Sequence, residues 1–195
     1  MKVGIILGSI REGRATERLA EWVVKTARQR QDLEVEYLDL REYPLPFFNE
    51  PISPKFNPNR NLSGVPKKWL DKLQDQDAYI VVTPEYNHSI PGVLKNAFDY
   101  LDWQVQKKPF AIVSHGGAGG ARAAGHLKHI ISEVRGMAIS TNIAFTHRVS
   151  ENFDDDGNLS KTITSQEHGP HVTIEHLLDE LTWYSNALSA ARSKA

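Results

Sequence analysis

Short apolar runs recur along the chain at intervals typical of strands that alternate with helices. The run Val3–Leu7 is continuous, which predicts a strand buried on both faces. Similar runs at Ala78–Thr83, Pro109–Ser114 and Met137–Phe145 predict three more strands. Leu33–Leu40 alternates between apolar and polar residues and predicts a second, more exposed strand. The pattern therefore predicts a five-stranded protein.

Apolar residues also recur at helical spacing between the strands. They do so from Leu19 to Ala27, and again from Ile174 to Leu188 near the C-terminal end. This alternation predicts right-handed crossovers and a parallel sheet with helices on both faces. Five strands fit the flavodoxin-like order 2-1-3-4-5, so we predict a three-layer α/β fold in a single domain spanning residues 1–195.

Two segments depart from this alternation. Tyr43–Val65 is too long for an ordinary connection, and we expect it to be a lid, a binding loop or an interface arm. Ser150–Ser160 is polar and rich in turn-forming residues, so we expect a surface excursion. The prolines and phenylalanines concentrated in the first segment are Pro44, Pro46, Pro51, Pro54, Pro58, Phe47, Phe48 and Phe56.

Composition narrows the function classes. The formal net charge is −1, from 23 basic and 24 acidic residues that form no block, so we expect no nucleic-acid partner and no membrane partner. The chain has no cysteine, which excludes disulfides, thiolate nucleophiles and iron–sulfur clusters. The N-terminal apolar run is too short for a signal peptide or a membrane span. We therefore expect a soluble, cytoplasmic protein.

Two patterns have the spacing of metal ligands, but we predict no metal site. The segment that starts at Asn152 begins like an EF-hand loop, yet Ile163 stands where a bidentate glutamate is required. Zinc needs three or four converging ligands, and the histidines occur in separate pairs. These pairs are His126 with His129 and His168 with His171.

Three unusual loops follow strands that are neighbours in the predicted order. They are loop 1 (Gly8–Thr16), loop 2 (Thr83–Ser89) and loop 3 (Ser114–Arg122), after strands 1, 3 and 4. Ligands of open α/β sheets bind at the carboxyl ends of the strands, near the point where the strand order reverses. We therefore expect the three loops to form one crevice.

Loop 1 combines hydroxyl groups and two arginines with a helix N-terminus. Backbone N–H groups and the helix dipole favour an anion there, and arginine adds a forked donor. The loop lacks the Gly-Lys-Ser/Thr ending of a P-loop and the spacing of G-x-G-x-x-G. We interpret it as a site for a phosphate monoester; the alternative is a capped, solvated helix start.

Loops 2 and 3 suit a flat ligand. Tyr86 offers a planar wall, and Asn87 both donates and accepts hydrogen bonds. Four glycines in loop 3 allow backbone N–H groups to approach a ligand closely, although a merely flexible loop is the alternative. These glycines are Gly116, Gly117, Gly119 and Gly120.

The strings "GSIR", "PEYNHSIPGVLKNAFDYL" and "SHGGAGGARAAGHL" resemble the NADPH-dependent FMN reductase family, which has a flavodoxin-like fold. The matching motifs run from Met1 to Leu127 in the same order. The resemblance implies bound FMN, with NADPH or NADH as co-substrate. It also implies two-electron reduction of a small acceptor such as a quinone, an azo dye or a flavin.

The resemblance further implies which residues bind FMN. Ser9, Arg11 and the segment Arg14, Ala15 and Thr16 would hold the phosphate. Many relatives carry a serine in this segment, so the use of a hydroxyl or of the backbone stays open. No catalytic residue is predicted. The residues that would line the flavin ring are Pro84, Glu85, Tyr86 and Asn87, then Ser114, Gly116, Gly117 and Gly119, with His115 between them in an undefined role.

Two alternatives to the enzyme remain: a protein that carries electrons on FMN without oxidising NAD(P)H, and a flavin-free scaffold. Carriers of this fold are usually strongly acidic, which a net charge of −1 does not match. The helix after loop 2 ends in Tyr100, Leu101 and Trp103, a large apolar cluster for a surface helix. Together with the aromatic segment Tyr43–Val65, this cluster predicts a homodimer or a tetramer.

Overall fold

A computed structural model describes residues 1–57, 59–146 and 148–194, apart from the side chain of Ser150. Pro58, counted among the prolines above, lies outside the described residues. Five parallel strands form one sheet in the order β2-β1-β3-β4-β5, which confirms the predicted topology. The strands are β1 (Lys2–Leu7), β2 (Glu34–Asp39), β3 (Ala78–Pro84), β4 (Pro109–Gly116) and β5 (Met137–Thr146).

Helices cover both faces of this sheet. Their bounds are α1 (Thr16–Ala27), α2 (Gly64–Gln74), α3 (Gly92–Asp99), α4 (Ala121–Glu133), α5 (Lys161–Thr164) and α6 (Pro170–Arg192). One apolar layer includes Leu19 of α1 and Leu177 of α6, and the opposite layer includes Leu73, Leu94 and Leu127 of α2, α3 and α4. The central strand β3 is buried along its whole length because both layers contact it. The three-layer α/β fold is thus confirmed.

Helix α2 begins inside the segment that was expected to be a loop up to Val65. Its buried residues are only Trp69, Leu70 and Leu73: the first two are adjacent and follow two lysines, and an aspartate and a lysine stand between Leu70 and Leu73. The apolar period is therefore too short to stand out in the sequence.

Proline is favoured at the first position of a helix, but Pro91 lies one residue before the first position of α3. It is the N-cap of α3, with φ −57° and ψ 142°, and not the first helical residue.

The remaining part of that segment, which we call the arm (residues 43–63), is fastened to α3. The amide oxygen of Asn96 accepts a hydrogen bond from Phe48 N at 2.9 Å, and its Nδ2 donates to Pro46 O at 2.8 Å. The Tyr100 hydroxyl also donates to Pro46 O, at 3.0 Å. The backbone on both sides of Phe47 is therefore held, while the Phe47 side chain is 86% exposed.

The apolar cluster predicted at the end of α3 is largely internal. Tyr100 and Leu101 are buried, and the ring of Phe48 packs edge-on against Tyr100 with centroids 5.3 Å apart. Only Trp103, in the 3₁₀ turn after α3, is exposed, at 47%. The expectation of an exposed cluster was therefore wrong for Tyr100 and Leu101. Their role is to seat the arm.

The segment Ser150–Ser160 is mostly exposed, as expected, but it has one buried anchor. Phe153 packs against Trp22 of α1 and Phe145 of β5, with ring centroids 6.4 Å and 5.9 Å away. A bridge between Phe153 and Leu159 closes the excursion. Across the described residues, no helix combines the length and the apolar character needed to cross a membrane.

Candidate functional site

Direct hydrogen bonds join the three loops at the carboxyl edge of the sheet. The Ser9 hydroxyl of loop 1 lies 2.9 Å from the Tyr86 hydroxyl of loop 2. Thr16 Oγ1 of loop 1 lies 2.8 Å from His115 Nε2 of loop 3. Loops 2 and 3 are joined by Glu85 N, which donates to His115 O at 2.9 Å. The structure therefore brings together the three loops that the sequence placed at one crevice.

Loop 1 leaves β1 through a tight contact with α3. A Cβ atom at Gly8 would lie 2.8 Å from Leu94 Cδ2 and 3.1 Å from Val82 O, so a larger residue would require Leu94 and the backbone of β3 to shift. The next residue, Ser9, is fully buried, and its hydroxyl is shared between Tyr86 and the Arg11 N–H, which donates to it at 3.4 Å. Both of these contacts lie within the protein, so the hydroxyl expected to bind phosphate already has partners.

Arg14 is a buried anchor of loop 1. Its side chain is 1% exposed and forms ion pairs with Asp39 and Glu17. Burial acts to lower the pKa of Arg14, but its hydrogen bonds to Asp39 and Glu17 outweigh this and raise it, so the group is a permanent cation. The guanidinium expected to bind phosphate is thus engaged with carboxylates. An anion could therefore bind to the backbone of Arg14 but not to its side chain.

The surroundings of Arg11 differ from those of Arg14. Its side chain is exposed, and within the described residues its guanidinium forms no hydrogen bond or ion pair. Five backbone N–H groups around Arg11 also donate to no protein acceptor in the described part of the chain. They belong to Ile10, Glu12, Gly13, Ala15 and Thr16. Unpaired amides at the start of α1, beside an unpaired guanidinium, fit a phosphate group.

His115 holds the Thr16 hydroxyl from the opposite side of the crevice. Burial lowers the pKa of His115 to about 4, so the imidazole is neutral at pH 7. A neutral imidazole can donate to Thr16 Oγ1 or accept from it. The sequence assigned His115 no role. Its partner is 99 positions away in the chain, and the two meet because β1 and β4 both lie beside β3 in the sheet.

Loop 2 is a two-residue hairpin whose turn has left-handed backbone angles. Asn87 has φ 49° and His88 has φ 65°, while Tyr86 and Ser89 exchange backbone hydrogen bonds of 2.8 Å and 3.0 Å. These features are those of a type I′ turn, and asparagine and histidine are both among the residues that adopt a positive φ more often than most. The turn presents Asn87 and His88 to solvent and fixes the half-buried Tyr86 beside loop 1.

Glu85 links loop 2 to the start of α4. Its Oε2 accepts hydrogen bonds from Arg122 N at 3.0 Å and from Ala123 N at 3.4 Å, and its Oε1 accepts from the Arg122 guanidinium at 2.5 Å. Burial acts to raise the pKa of Glu85, but these hydrogen bonds lower it. The carboxylate expected near a flavin ring is therefore occupied as a helix cap. Pro84, just before it, is a buried end of β3.

Loop 3 is an ordered glycine turn. The Ser114 hydroxyl donates to Gly119 O at 2.7 Å, and Gly119 N donates to Gly116 O at 2.9 Å. A Cβ at Gly120, which has φ 74°, would lie 2.8 Å from Ser114 Cβ. Gly117, at the tip, is exposed. Among the described residues, no atom beyond its chain neighbours lies within 4 Å of the position that a Cβ would take at Gly117, so a flat ligand can approach this backbone closely.

An apolar cavity of about 450 Å³ adjoins loops 1 and 2. It lies between Tyr86, the start of α3 and the arm, and several of its residues were not among the predicted site residues. Their apolar character alone gave no functional signal, because apolar side chains are normally interpreted as core. These residues are Ile10, Leu45, Phe47, Pro91 and Val93.

Strand order and loop geometry together define an α/β protein of the flavodoxin-like class, with loop 1 amides at the carboxyl edge of the sheet that have no acceptor among the described residues. The model of the family described as NADPH-dependent FMN reductase matches residues 1–150 of the chain. The chain therefore belongs to the NADPH-dependent FMN reductase family. It is an oxidoreductase with FMN as cofactor and NAD(P)H as reductant.

Individual relatives agree with this assignment. The chain is 34% identical over 145 residues to an NAD(P)H-dependent FMN reductase of Schizosaccharomyces pombe, which covers 74% of this chain and 72% of the relative. It is 32% identical over 162 residues to an FMN-dependent NADPH-azoreductase of Staphylococcus haemolyticus, covering 82% and 84%. The flavoenzyme NAD(P)H:(acceptor) oxidoreductase FerB of Paracoccus denitrificans has a similar fold, with a TM-score of 0.69, 22% identity and coverage of 95% and 97%.

Proposed function

We propose that the chain transfers hydride equivalents from NAD(P)H, through FMN bound at the three loops, to a quinone, an azo compound or a free flavin. The observation that carries this proposal is the set of unpaired amides at the start of α1 beside the unpaired Arg11 side chain, in the described part of loop 1. Such a set selects a phosphate monoester, which FMN has and riboflavin lacks.

Each loop contributes a distinct part of the FMN site. Loop 1 would bind the phosphate through its amides and Arg11, with Thr16 oriented by His115. Tyr86 and Asn87 would contact the planar ring, and the exposed N–H of Gly117 would donate a hydrogen bond to its polar edge, in a turn that the hydrogen bond from Gly119 N to Gly116 O holds in place. Bound FMN would supply the two-electron hydride chemistry, and the proton that completes the reduction of a quinone or azo compound would come from solvent, so no side chain is assigned as an acid or base. The protein therefore acts by binding, orientation and backbone electrostatics.

The apolar cavity beside Tyr86 supports an acceptor that is flat and weakly polar. Its volume of about 450 Å³ lies in the range of small-molecule sites. The azoreductase relative is consistent with this class of acceptor. We propose further that the whole chain, including α6, forms one FMN-binding domain, that the protein is cytoplasmic, and that two copies associate near the arm.

An assay of three mixtures tests the function. Purified protein is titrated with FMN, and NADPH oxidation is then followed at 340 nm without acceptor, with a quinone and with an azo dye. We expect FMN binding, together with NADPH oxidation that a quinone or azo dye accelerates. Binding of FMN without NADPH oxidation would identify an electron carrier instead. Failure to bind FMN at any concentration would contradict the proposal as a whole.

Arg11→Ala tests the placement of the phosphate. We expect weaker FMN binding by about 1.5–3 kcal/mol, the usual contribution of a hydrogen bond to a charged group. Isothermal titration measures this change, and the melting temperature without FMN should not change, because the side chain is exposed. Riboflavin serves as the control ligand. Unchanged affinity for FMN would move the phosphate away from Arg11.

A further inference from the structure

Three successive carbonyl groups of loop 1 accept hydrogen bonds from two guanidinium groups. Arg14 Nη1 donates to Ser9 O at 2.5 Å. Arg41, in the 3₁₀ turn that follows β2, donates from Nη2 to Arg11 O at 2.6 Å and from Nε to Ile10 O at 3.3 Å. The carbonyl side of the loop is thus occupied, whereas neighbouring amides have no protein acceptor within the described residues.

Asp39, the last residue of β2, forms hydrogen bonds with both arginines. Its carboxylate accepts two hydrogen bonds from the Arg14 guanidinium and one from Arg41 N at 2.9 Å. Leu7 and Asp39 are paired in the parallel register of β1 and β2, so these strands end side by side. The site therefore extends to the end of a fourth strand, which none of the three predicted loops follows.

Backbone orientation decides whether such a loop attracts or repels a phosphate. Amide N–H groups stabilise the dianion, whereas a carbonyl oxygen turned toward it would repel it. A guanidinium that binds the carbonyl oxygens prevents that rotation before the ligand arrives. It also lowers the loss of conformational freedom on binding, because the loop is already ordered.

We propose that Arg41 is a positioning residue for the FMN phosphate, because it holds the carbonyl groups of Ile10 and Arg11 and so fixes loop 1 in its anion-binding conformation. This inference rests on the proposed function. Arg41 has no place in the family resemblance of the sequence, since it follows β2 and lies outside the matching strings. Its side chain is 39% exposed, so its replacement is compatible with folding, unlike that of the buried Arg14.

The experiment compares two ligands that differ only in the phosphate. Dissociation constants for FMN and riboflavin are measured by flavin fluorescence for the wild type, Arg41→Met, Arg41→Lys and Arg28→Met. Arg28 is an exposed residue at the far end of α1, so Arg28→Met controls for the change in net charge. Melting temperatures without flavin confirm that each variant is folded.

For Arg41→Met we expect FMN to bind about tenfold more weakly, because loop 1 loses both hydrogen bonds that hold its carbonyl groups and must be ordered when the phosphate binds, and riboflavin to bind within about twofold of the wild type. Arg41→Lys should recover little, because an ammonium group cannot bridge two carbonyl oxygens as the guanidinium fork does. Arg28→Met should bind both ligands as the wild type does. If Arg41→Met does not fold, Arg41→Lys provides the same comparison.

Three results would overturn the inference. The first is an unchanged FMN affinity in the folded Arg41 variants, and the second is a parallel loss of affinity for FMN and for riboflavin. The third is a wild-type FMN affinity in Arg41→Lys alone, because charge would then suffice. The proposed function is judged separately, on the wild type. A wild-type protein that binds FMN no more tightly than riboflavin would refute the phosphate site itself, whatever the variants do.

Discussion

Arg11 and Arg14 are three positions apart in loop 1, yet their surroundings are opposite. The guanidinium of Arg14 is buried against Asp39, whereas that of Arg11 is exposed and unpaired within the described residues. A buried cation requires a carboxylate partner, and Asp39 is available only because β2 lies beside β1. The residue type therefore identified two candidate phosphate ligands, and burial separated them.

His115 shows how a residue with no sequence signal acquires a defined state. Burial holds its pKa at about 4, below the value of about 6.5 in the unfolded chain. Between these values the unfolded state binds more protons than the folded state. The contribution of His115 to stability is therefore complete above pH 6.5 and decreases as the pH falls toward 4.

His115→Gln should alter the pH dependence of stability. Glutamine can still form a hydrogen bond with Thr16 but does not titrate. Between pH 7 and pH 4.5 we expect the wild type to lose about 2 kcal/mol of unfolding free energy relative to the variant, allowing for partial exposure. Urea denaturation across this range measures the difference. Parallel stability curves would show that His115 does not titrate as its burial implies.

At the level of elements, the start of α4 depends on a side chain from another part of the fold. Gly120, its N-cap, has no side chain to bind the first amides of the helix. Glu85 of loop 2 accepts hydrogen bonds from two of them instead. One carboxylate therefore stabilises the helix N-terminus and fixes the distance between loops 2 and 3.

Glu85→Ala should lower the unfolding free energy by about 1–2 kcal/mol, the usual cost of losing a helix N-cap. It should also weaken FMN binding, because loops 2 and 3 lose their link. Arg122→Met is the matched control: it removes the ion pair, in which the Arg122 side chain is 49% exposed and that of Glu85 8%, but keeps both amide hydrogen bonds, and should cost at most about 1 kcal/mol. Equal losses in both variants would mean that the ion pair, and not the cap, is the stabilising contact.

At the scale of the whole molecule, exposed aromatic side chains are distributed unevenly. Phe47 is 86% exposed and borders the apolar cavity beside loops 1 and 2. Trp103 borders a different cavity, lined by Arg60, Leu62 and Leu70. A large exposed apolar group on a fixed backbone is typical of an interface. Phe47 is therefore better placed than Trp103 to bring a second copy to the candidate site.

We predict a homodimer that depends on Phe47. Phe47→Asp should yield monomers that still bind FMN, because Phe47 is not one of the proposed FMN-binding residues, but that have lower reductase activity. Phe56→Asp, a control in the same arm at 75% exposure, should remain dimeric. Light scattering at micromolar concentration measures both. A monomeric wild type, or dissociation by both substitutions alike, would contradict a specific interface at Phe47.

The sequence by itself determined the strands, their order and the edge at which the site lies. These features depend on local periodicity, on glycine and proline, and on the rules of parallel sheets, all of which act over short stretches. The amides of loop 1 at the start of α1, which have no acceptor among the described residues, follow from the same local chemistry.

Only the tertiary structure decided which side chains of that edge remain available to a ligand. The pairing of Arg14 with Asp39, of Glu85 with α4 and of His115 with Thr16 joins residues 25 to 99 positions apart. Arg41 and Phe47 gained significance in the same way, through neighbours supplied by other elements. Such contacts depend on competition between buried polar groups for partners, and that competition is resolved only when the strands are side by side.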